Sequence, residues 1–321
     1  MVAEGTVIAL DRDDSTGIWV SDDALFRNVI TRTHESTLMQ LQSFSCSSGK
    51  RMLVEDKNFD FHDVLLHKSR LYLVSTGTNE VVALSAQGQE LERYSYPGGT
   101  DSWHINCLGV WDAKVVLSAF GEFDSLRGYK HGSRNRGFVI ELESNKKLWE
   151  GLSQPHTPAQ RDGKYYICNS EERQVLIKGQ DSNVLCLQFD GYTRGIAFSD
   201  HFMYVGLSKS RNIPAEAANS PFARIVALDL DTREICGEVS VAFAEIYDIR
   251  IARNPLLPII MLSLNGREHA LELSMLRERA QQLNRLRAQF QRVNSNAVSG
   301  PVLRLIRWAR RDASFGNPDD C

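Results

Sequence analysis

His62, His104, His156, Arg194 and Asp248 share one kind of place in this 321-residue chain: each opens a short apolar run. Three imidazoles brought together can hold a divalent metal, each giving one ring nitrogen at about 2.0 to 2.1 Å and leaving a position for water or substrate; zinc is the default ion. An arginine beside them suits a carboxylate, a phosphate or an acidic sugar, gripped through its planar fork. Tyr247 and Asp248 are the candidates for proton transfer or for orienting a ligand histidine. Asn106, Asn169 and Lys209 supply polar groups for the rim. The residue types leave three accounts open: a metal centre, a metal-free ligand or catalytic site, and a structural network. In the last, the imidazoles bond neighbouring carbonyls and Arg194 pairs with Asp63 or Asp248. No two histidines stand at HxH or HxxxH spacing, and neither a Gly-x-Ser-x-Gly motif nor a phosphate-cradling glycine loop is present, which weighs against serine hydrolase and nucleotide readings.

Residues 42, 52, 38 and 54 positions apart meet only if the elements between them repeat. They do. Each unit reads as a polar residue, an apolar strand, a tight polar turn and a second apolar strand: His62 to Leu66, turn Lys68 to Arg70, then Leu71 to Ser75; His104 to Leu108, turn Asp112 to Lys114, then Val115 to Phe120. His156 to Pro158 precedes Tyr165 to Asn169, Arg194 to Phe198 precedes Phe202 to Leu207, and Asp248 to Ile251 precedes Ile259 to Leu264. A third strand follows, such as Val81 to Leu84, Phe138 to Leu142, Val175 to Ile177 or Ile225 to Leu230, and then a fourth. Four short strands in about 40 to 50 residues are the mark of a propeller blade. Thr6 to Leu10, Ile18 to Ser21, Leu38 to Ser43 and Met52 to Val54 fit one further blade upstream. The prediction is an all-β, six-bladed β-propeller over residues 1–266, with five or seven blades as alternatives. Residues 267–321 are expected to form an arginine-rich α-helical tail.

Antiparallel strands in a blade place the start of strand one and the connection between strands two and three on the same face. The five opening residues are therefore expected to converge at the mouth of the axial channel. The insertions Gly121 to Gly137 and Ser208 to Phe222 rise on that face and are placed to roof it.

Several of these segments resemble a bacterial family catalogued as domain of unknown function 4915. They are Phe61-His62-Asp63, Trp103-His104-Ile105-Asn106, the Gly151 to Pro158 run ending Pro-His-Thr-Pro, Tyr192 to Phe198 with Gly206-Leu207-Ser208, and Glu245-Ile246-Tyr247-Asp248. The resemblance spans residues 55–255, departs at Cys107, and does not extend to the tail. It points to the same residues and leaves the reaction open. Propeller lyases that use a metal are similar in placing histidines at the channel mouth, an analogy of fold alone.

With 42% hydrophobic and 24% charged residues, the composition is that of an ordinary folded protein. The net charge of −3 hides an asymmetry: Met275 to Arg311 holds nine arginines and one acid, about +8, against about −11 elsewhere. Leu273, Leu276, Ala280, Leu283, Leu286 and Phe290 lie at spacings of three and four on one helical stripe. In a second short helix after Pro301, Val302, Leu305, Ile306 and Trp308 oppose Arg304, Arg307, Arg310 and Arg311. Residues 270–311 thus suit a membrane surface, a protein partner, or the acidic propeller itself. Nucleic acid is disfavoured, because the arginines have no aromatic stacking platform. No apolar run approaches membrane-spanning length and no leader is evident, so a cytoplasmic place is expected, peripheral to the inner membrane face if the tail binds lipid. Cys107, Cys168, Cys186 and Cys236 read as buried thiols, without a CxxC pair. The expected activity is that of a lyase or hydrolase on a small anionic or sugar-like substrate, with a divalent metal as its one candidate cofactor. A non-catalytic ligand-binding or scaffold propeller is the alternative.

Overall fold

Strands buried on both faces lose the apolar/polar alternation of a half-exposed strand, and the gradient of that loss orders this molecule. Leu71 to Ser75 and Val115 to Ala119 are buried throughout, whereas Val184–Gln188 alternates and Glu90–Ser95 is largely exposed. The first three strands of each repeat are thus packed between neighbours and the fourth faces solvent. The structure, a computed structural model, describes residues 2–3, 6–7, 14–32, 36–45, 48–57, 59–179, 183–209 and 222–252.

After a two-stranded ladder of β1 (Val2–Ala3) and β2 (Thr6–Val7), five antiparallel four-stranded sheets follow in chain order. The first blade contains β3 (Asp14–Val20), β4 (Ala24–Arg32), β5 (Thr37–Ser45) and β6 (Gly49–Asp56). The second contains β7 (Phe61–His67), β8 (Arg70–Ser75), β9 (Glu80–Leu84) and β10 (Glu90–Ser95). The third contains β11 (Ile105–Trp111), β12 (Lys114–Ala119), β13 (Gly137–Glu141) and β14 (Lys147–Leu152). The fourth contains β15 (Pro155–Arg161), β16 (Lys164–Asn169), β17 (Gln174–Lys178) and β18 (Val184–Gln188). The fifth contains β19 (Tyr192–Phe198), β20 (Phe202–Ser208), β21 (Arg224–Asp229) and β22 (Ile235–Ser240). This is an all-β propeller with five blades among the described residues. Of the expected sixth unit only the opening, through residue 252, is described; the expected later strands, the expected helical tail and most of the second insertion lie outside the described residues.

Two expectations are corrected here. The first blade starts at Asp14 rather than Thr6, and its second strand, Ala24–Arg32, was missed because Arg27 and Asn28 break the apolar run. Both are buried in the sheet, Arg27 bonding Gln42 Oε1 through Nε at 3.2 Å. Of the four cysteines, Cys107 and Cys168 are buried, but Cys186 is exposed on an outer strand and Cys236 is half-buried; all four are free thiols.

Apolar side chains fill the wedges between blades: Phe61, Val64 and Leu73 with Met39 and Leu41; Leu65, Val74 and Ala83 with Leu108 and Leu117; Trp111 and Val139 with Ile167; Cys168 and Val175 with Ile196 and Val205. Polar bonds then tie each inner strand to the next. Thr16 Oγ1 donates to Phe61 O, the Leu108 amide donates to Asp63 Oδ2 at 2.7 Å, and the Gly195 amide donates to Thr157 Oγ1 at 3.0 Å. Ser208 Oγ bonds Ile246 O at 3.2 Å, and Arg250 Nε donates to Ile18 O at 3.0 Å, so the segment after the fifth blade reaches back to the first.

Inner strands approach so closely that one position tolerates no Cβ: on Gly109 it would lie 2.0 Å from the carbonyl oxygen of Pro158 in the next blade. Gly109→Ala is therefore expected to destabilise the fold by about 2 kcal/mol or more, read as a lower denaturation midpoint in urea. Gly132→Ala, whose Cβ meets nothing closer than 3.9 Å, is the control expected to leave it unchanged.

Candidate functional site

All five inner strands carry the same irregularity at the same end. Their pairing with strand two slips between Ser15 and Ile18, Phe61 and Asp63, Ile105 and Leu108, His156 and Ala159, and Arg194 and Ile196. A bulge re-aims a side chain out of the ladder, and the last four lie at or beside His62, His104, His156 and Arg194. Left-handed backbone at Asp101 (φ 46°), His104 (φ 48°), Gln154 (φ 51°) and Thr157 (φ 52°) completes the turn into the mouth. For side chains other than glycine this costs about 1 kcal/mol or more each, strain that the surrounding packing must hold.

The imidazoles converge within a belt of rings. His62 meets His104 edge to face at 5.3 Å between centroids, and His104 lies 4.3 Å from both Phe120 and Tyr129. Phe120 is 5.2 Å from His156, which packs on Tyr192 at 5.7 Å. The three histidines nevertheless differ. His104 Nδ1 bonds Asp101 Oδ1 at 2.7 Å. His156 Nδ1 lies 3.0 Å from Gln154 O and 2.8 Å from Ser170 Oγ, whose own hydroxyl donates to Thr193 O. The serine oxygen must then accept, so Nδ1 carries the hydrogen and Nε2 the lone pair. His62 Nδ1 is buried without a hydrogen-bond partner among the described residues. Burial holds His62 and His156 well below the ordinary histidine value, and the proximity of His104 and Arg194 adds to the effect in both. Both are neutral at physiological pH.

Opposite them, Arg194 is 93% buried, stacked over the Tyr247 ring at 4.0 Å. Tyr247 in turn packs on His62 at 5.6 Å. Among the described residues the carboxylate paired with the guanidinium is that of Glu245, 3.9 Å from Nη1, and Nε has no partner there. A buried guanidinium so loosely paired is costly without an anion.

Asp63 and Asp248 face the backbone instead of the mouth. Asp63 accepts the Val64 and Leu108 amides at 2.8 and 2.7 Å, and Asp248 accepts the Ile249 amide at 2.8 Å and pairs with Arg250 at 2.8 Å. Burial, with their mutual repulsion raising Asp63 further, lifts Asp63 to about 7 and Asp248 to about 6. Burial also pushes the Cys107 thiol up to about 12, so it is no nucleophile.

The sequence-predicted set thus divides. His62, His104, His156, Arg194 and Tyr247 come together at the mouth. Asp248 adjoins it as a tie between strands. Asn106 is fully buried, its amide donating to His104 O and accepting from Ser118 Oγ, and Asn169 accepts the Ser153 amide at 2.6 Å, so both are turned inward from the rim. Lys209 is exposed, its backbone amide bonded to Ala244 O. Among the described residues, no group of three His, Cys, Asp or Glu side chains is spaced to hold a metal. The first insertion covers the site as expected, with a 3-10 turn at Gly128–His131 laying Tyr129 on His104. Asp101, Tyr129, Tyr192 and Ser170 were missed; an acid three residues before a site histidine, inside a Gly- and Ser-rich turn, is the one sequence signal that marked any of them.

Fold and mouth together define a β-propeller with a polar, aromatic-walled axial site. The sequence pattern of the domain of unknown function 4915 (DUF4915) matches residues 26–261, and the chain belongs to that family. No curated protein sequence matches. Among solved structures, a chain of the nidogen/laminin complex is similar at 7% identity, covering 71% of this chain and 80% of that one, with a TM-score of 0.52. The luciferin-regenerating enzyme is similar at 12% identity over 73% and 78%, with a TM-score of 0.50. A streptogramin B lyase gives 11% identity over 74% and 84%, at 0.46. At these identities the first two likenesses report the fold alone. No helix among the described residues is long and apolar enough to cross a membrane.

The buried carboxylate pair gives a signed pH effect. Both values are raised above that of the unfolded chain, so the pair's contribution is fully present at low pH and lost as pH rises through about 6 to 7. Asp248→Asn removes the repulsion. Between pH 5 and pH 8 the melting temperature of wild type should fall relative to that of the variant by about 2 °C or more, measured by scanning calorimetry of both proteins. A difference constant with pH would remove the pair as its source.

Proposed function

We propose that this protein is a propeller enzyme acting on a small organic anion at the channel mouth, with Arg194 gripping the anionic group and the neutral imidazoles and Tyr247 facing its reacting end. The observation that carries the reading is Arg194 itself: buried, stacked on Tyr247, lacking an Nε partner among the described residues, and with its carboxylate neighbour at 3.9 Å. A purely structural arginine at this depth would be expected to have close, bidentate partners. The aromatic belt supplies a low-dielectric wall, which strengthens any charge-assisted bond made inside it. A lyase or hydrolase step fits neutral imidazoles, whose free ring nitrogen can accept a proton at physiological pH.

We read the ring as six-bladed. Supporting this, Arg250 bonds Ile18 O, and a Cβ on Gly195 would meet Ile249 N at 3.0 Å, so the sixth opening lies against blades five and one as an inner strand would.

Small carboxylates and phosphates are expected to raise the melting temperature of the wild-type protein more than their amide or ester isosteres do. A ligand at a hundredfold its dissociation constant stabilises by about 2.7 kcal/mol. Arg194→Met should abolish the preference and Arg194→Lys should weaken it. Equal shifts from charged and neutral compounds, or an unchanged preference in Arg194→Met, would sink the reading. Once a ligand is identified by metabolite co-purification, Tyr247→Phe should slow its turnover while keeping its affinity; binding with no turnover in wild type would make this a binding propeller.

The metal-dependent form of the reading, with zinc on His62, His104 and His156, requires a change of side-chain geometry on loading. It expects stoichiometric metal in freshly purified protein, lost in His156→Ala. Metal-free protein that still binds the anion would exclude it.

A further inference from the structure

Whatever accepts a proton in this mouth becomes a cation inside a ring of apolar walls beside a guanidinium, so the group suited to it must carry its own counter-charge. The three imidazoles differ in this respect. His156 Nδ1 is tied to two neutral acceptors, Gln154 O and Ser170 Oγ, and His62 Nδ1 has no partner among the described residues. Only His104, of the three, has a carboxylate on its far nitrogen, Asp101 Oδ1 at 2.7 Å.

Asp101 is itself held from several sides. It is 96% buried, and its second oxygen accepts Arg127 Nε at 2.9 Å and the Tyr129 hydroxyl at 3.2 Å. The Arg127 amide also donates to the Asp101 carbonyl at 3.1 Å. Both partners come from the insertion that roofs the mouth. The His104 ring packs against both Phe120 and Tyr129, each at 4.3 Å, and these two rings meet each other at 5.3 Å, so one side of the imidazole is walled by a pair of aromatic rings. With Nδ1–H committed to the carboxylate, the lone pair sits on Nε2 at the opposite end of the ring. That ring adjoins His62, which adjoins Tyr247, on which Arg194 stacks.

We propose that Asp101 and His104 form the proton-transfer pair of this site, His104 Nε2 being the catalytic base toward a carboxylate-bearing ligand anchored on Arg194, and Asp101 the positioning residue. In the step, the ligand's acidic X–H proton passes to Nε2 and its electron pair stays on X. The imidazolium keeps its Nδ1–H bond to Asp101, which stays ionised and neutralises it. The inference rests on the anion reading of Arg194, and it adds two things to that reading: which imidazole reacts, and through which nitrogen.

Bromoacetate and its longer-chain homologues test it, with the matching bromoamides as uncharged controls. Nε2 displaces bromide from the terminal carbon, forming a nitrogen–carbon bond on an imidazolium paired with Asp101. Peptide mass spectrometry of wild-type protein should find modification at His104 ahead of His62 and His156, faster with acid than amide. Asp101→Asn should slow it about ten- to a hundredfold. Arg194→Met should erase the preference for acid over amide while His104 remains the site. Modification first at His62 or His156, or a His104 rate indifferent to Asp101→Asn, would overturn the assignment. Equal rates for acid and amide in wild type would strike the anion reading alone. Should Asp101→Asn unfold, the position of attachment in wild type decides: Nε2 alkylation of His104 supports the pair, and Nδ1 alkylation refutes it.

Discussion

The bonds from one inner strand to the next govern everything else in this molecule. Strands crowded around an axis cannot all continue their ladders to the end, and backbone groups freed by each bulge must find partners or lose stability. Asp63, Thr157 and Thr16 supply those partners across blade boundaries. In two of the three, the residue just before is a mouth histidine: His62 precedes Asp63 and His156 precedes Thr157. Tyr247 stands in the same relation to Asp248. Tie and reactive side chain are covalent neighbours, so the geometry of the mouth is as firm as the ring that surrounds it.

Within that frame, chemistry follows from scarcity of charge. One guanidinium, one carboxylate pointed at an imidazole, and two uncharged imidazoles share a wall of tyrosine and phenylalanine. Desolvation makes each unpaired charge expensive, and it makes each new pairing with a ligand correspondingly favourable. Such an arrangement holds a proton where a counter-charge waits for it and nowhere else.

The repeat was legible in the sequence because each blade begins with a polar residue and an apolar run, and the recurrence survives uneven loop lengths. His62, His104, His156 and Arg194 could be picked out for the same reason. Asn106 and Asn169 show where that reasoning fails: a polar residue at the end of a strand looks like rim, but Asn106, inside a bulge, bonds Ser118, and Asn169, in regular pairing, bonds the Ser153 amide. Ala24–Arg32 escaped because a fully buried arginine stacked 5.3 Å over Phe44 has no signature in a hydropathy pattern. Asp101 and Tyr129 lie in loops whose path, rather than composition, delivers them to His104.

Ring closure has a consequence for how the protein comes into being. The segment Glu245 to Arg250 carries the stacking ring for Arg194 and the ties to Ile18 and Ser208. On a ribosome, five blades emerge before it does. Until then the first inner strand has an open flank and the guanidinium no aromatic shelf, so the nascent chain passes through a stage with most of its sheets formed and its pocket unfinished. The pocket is completed only when the segment Glu245 to Arg250 docks against the first and fifth blades.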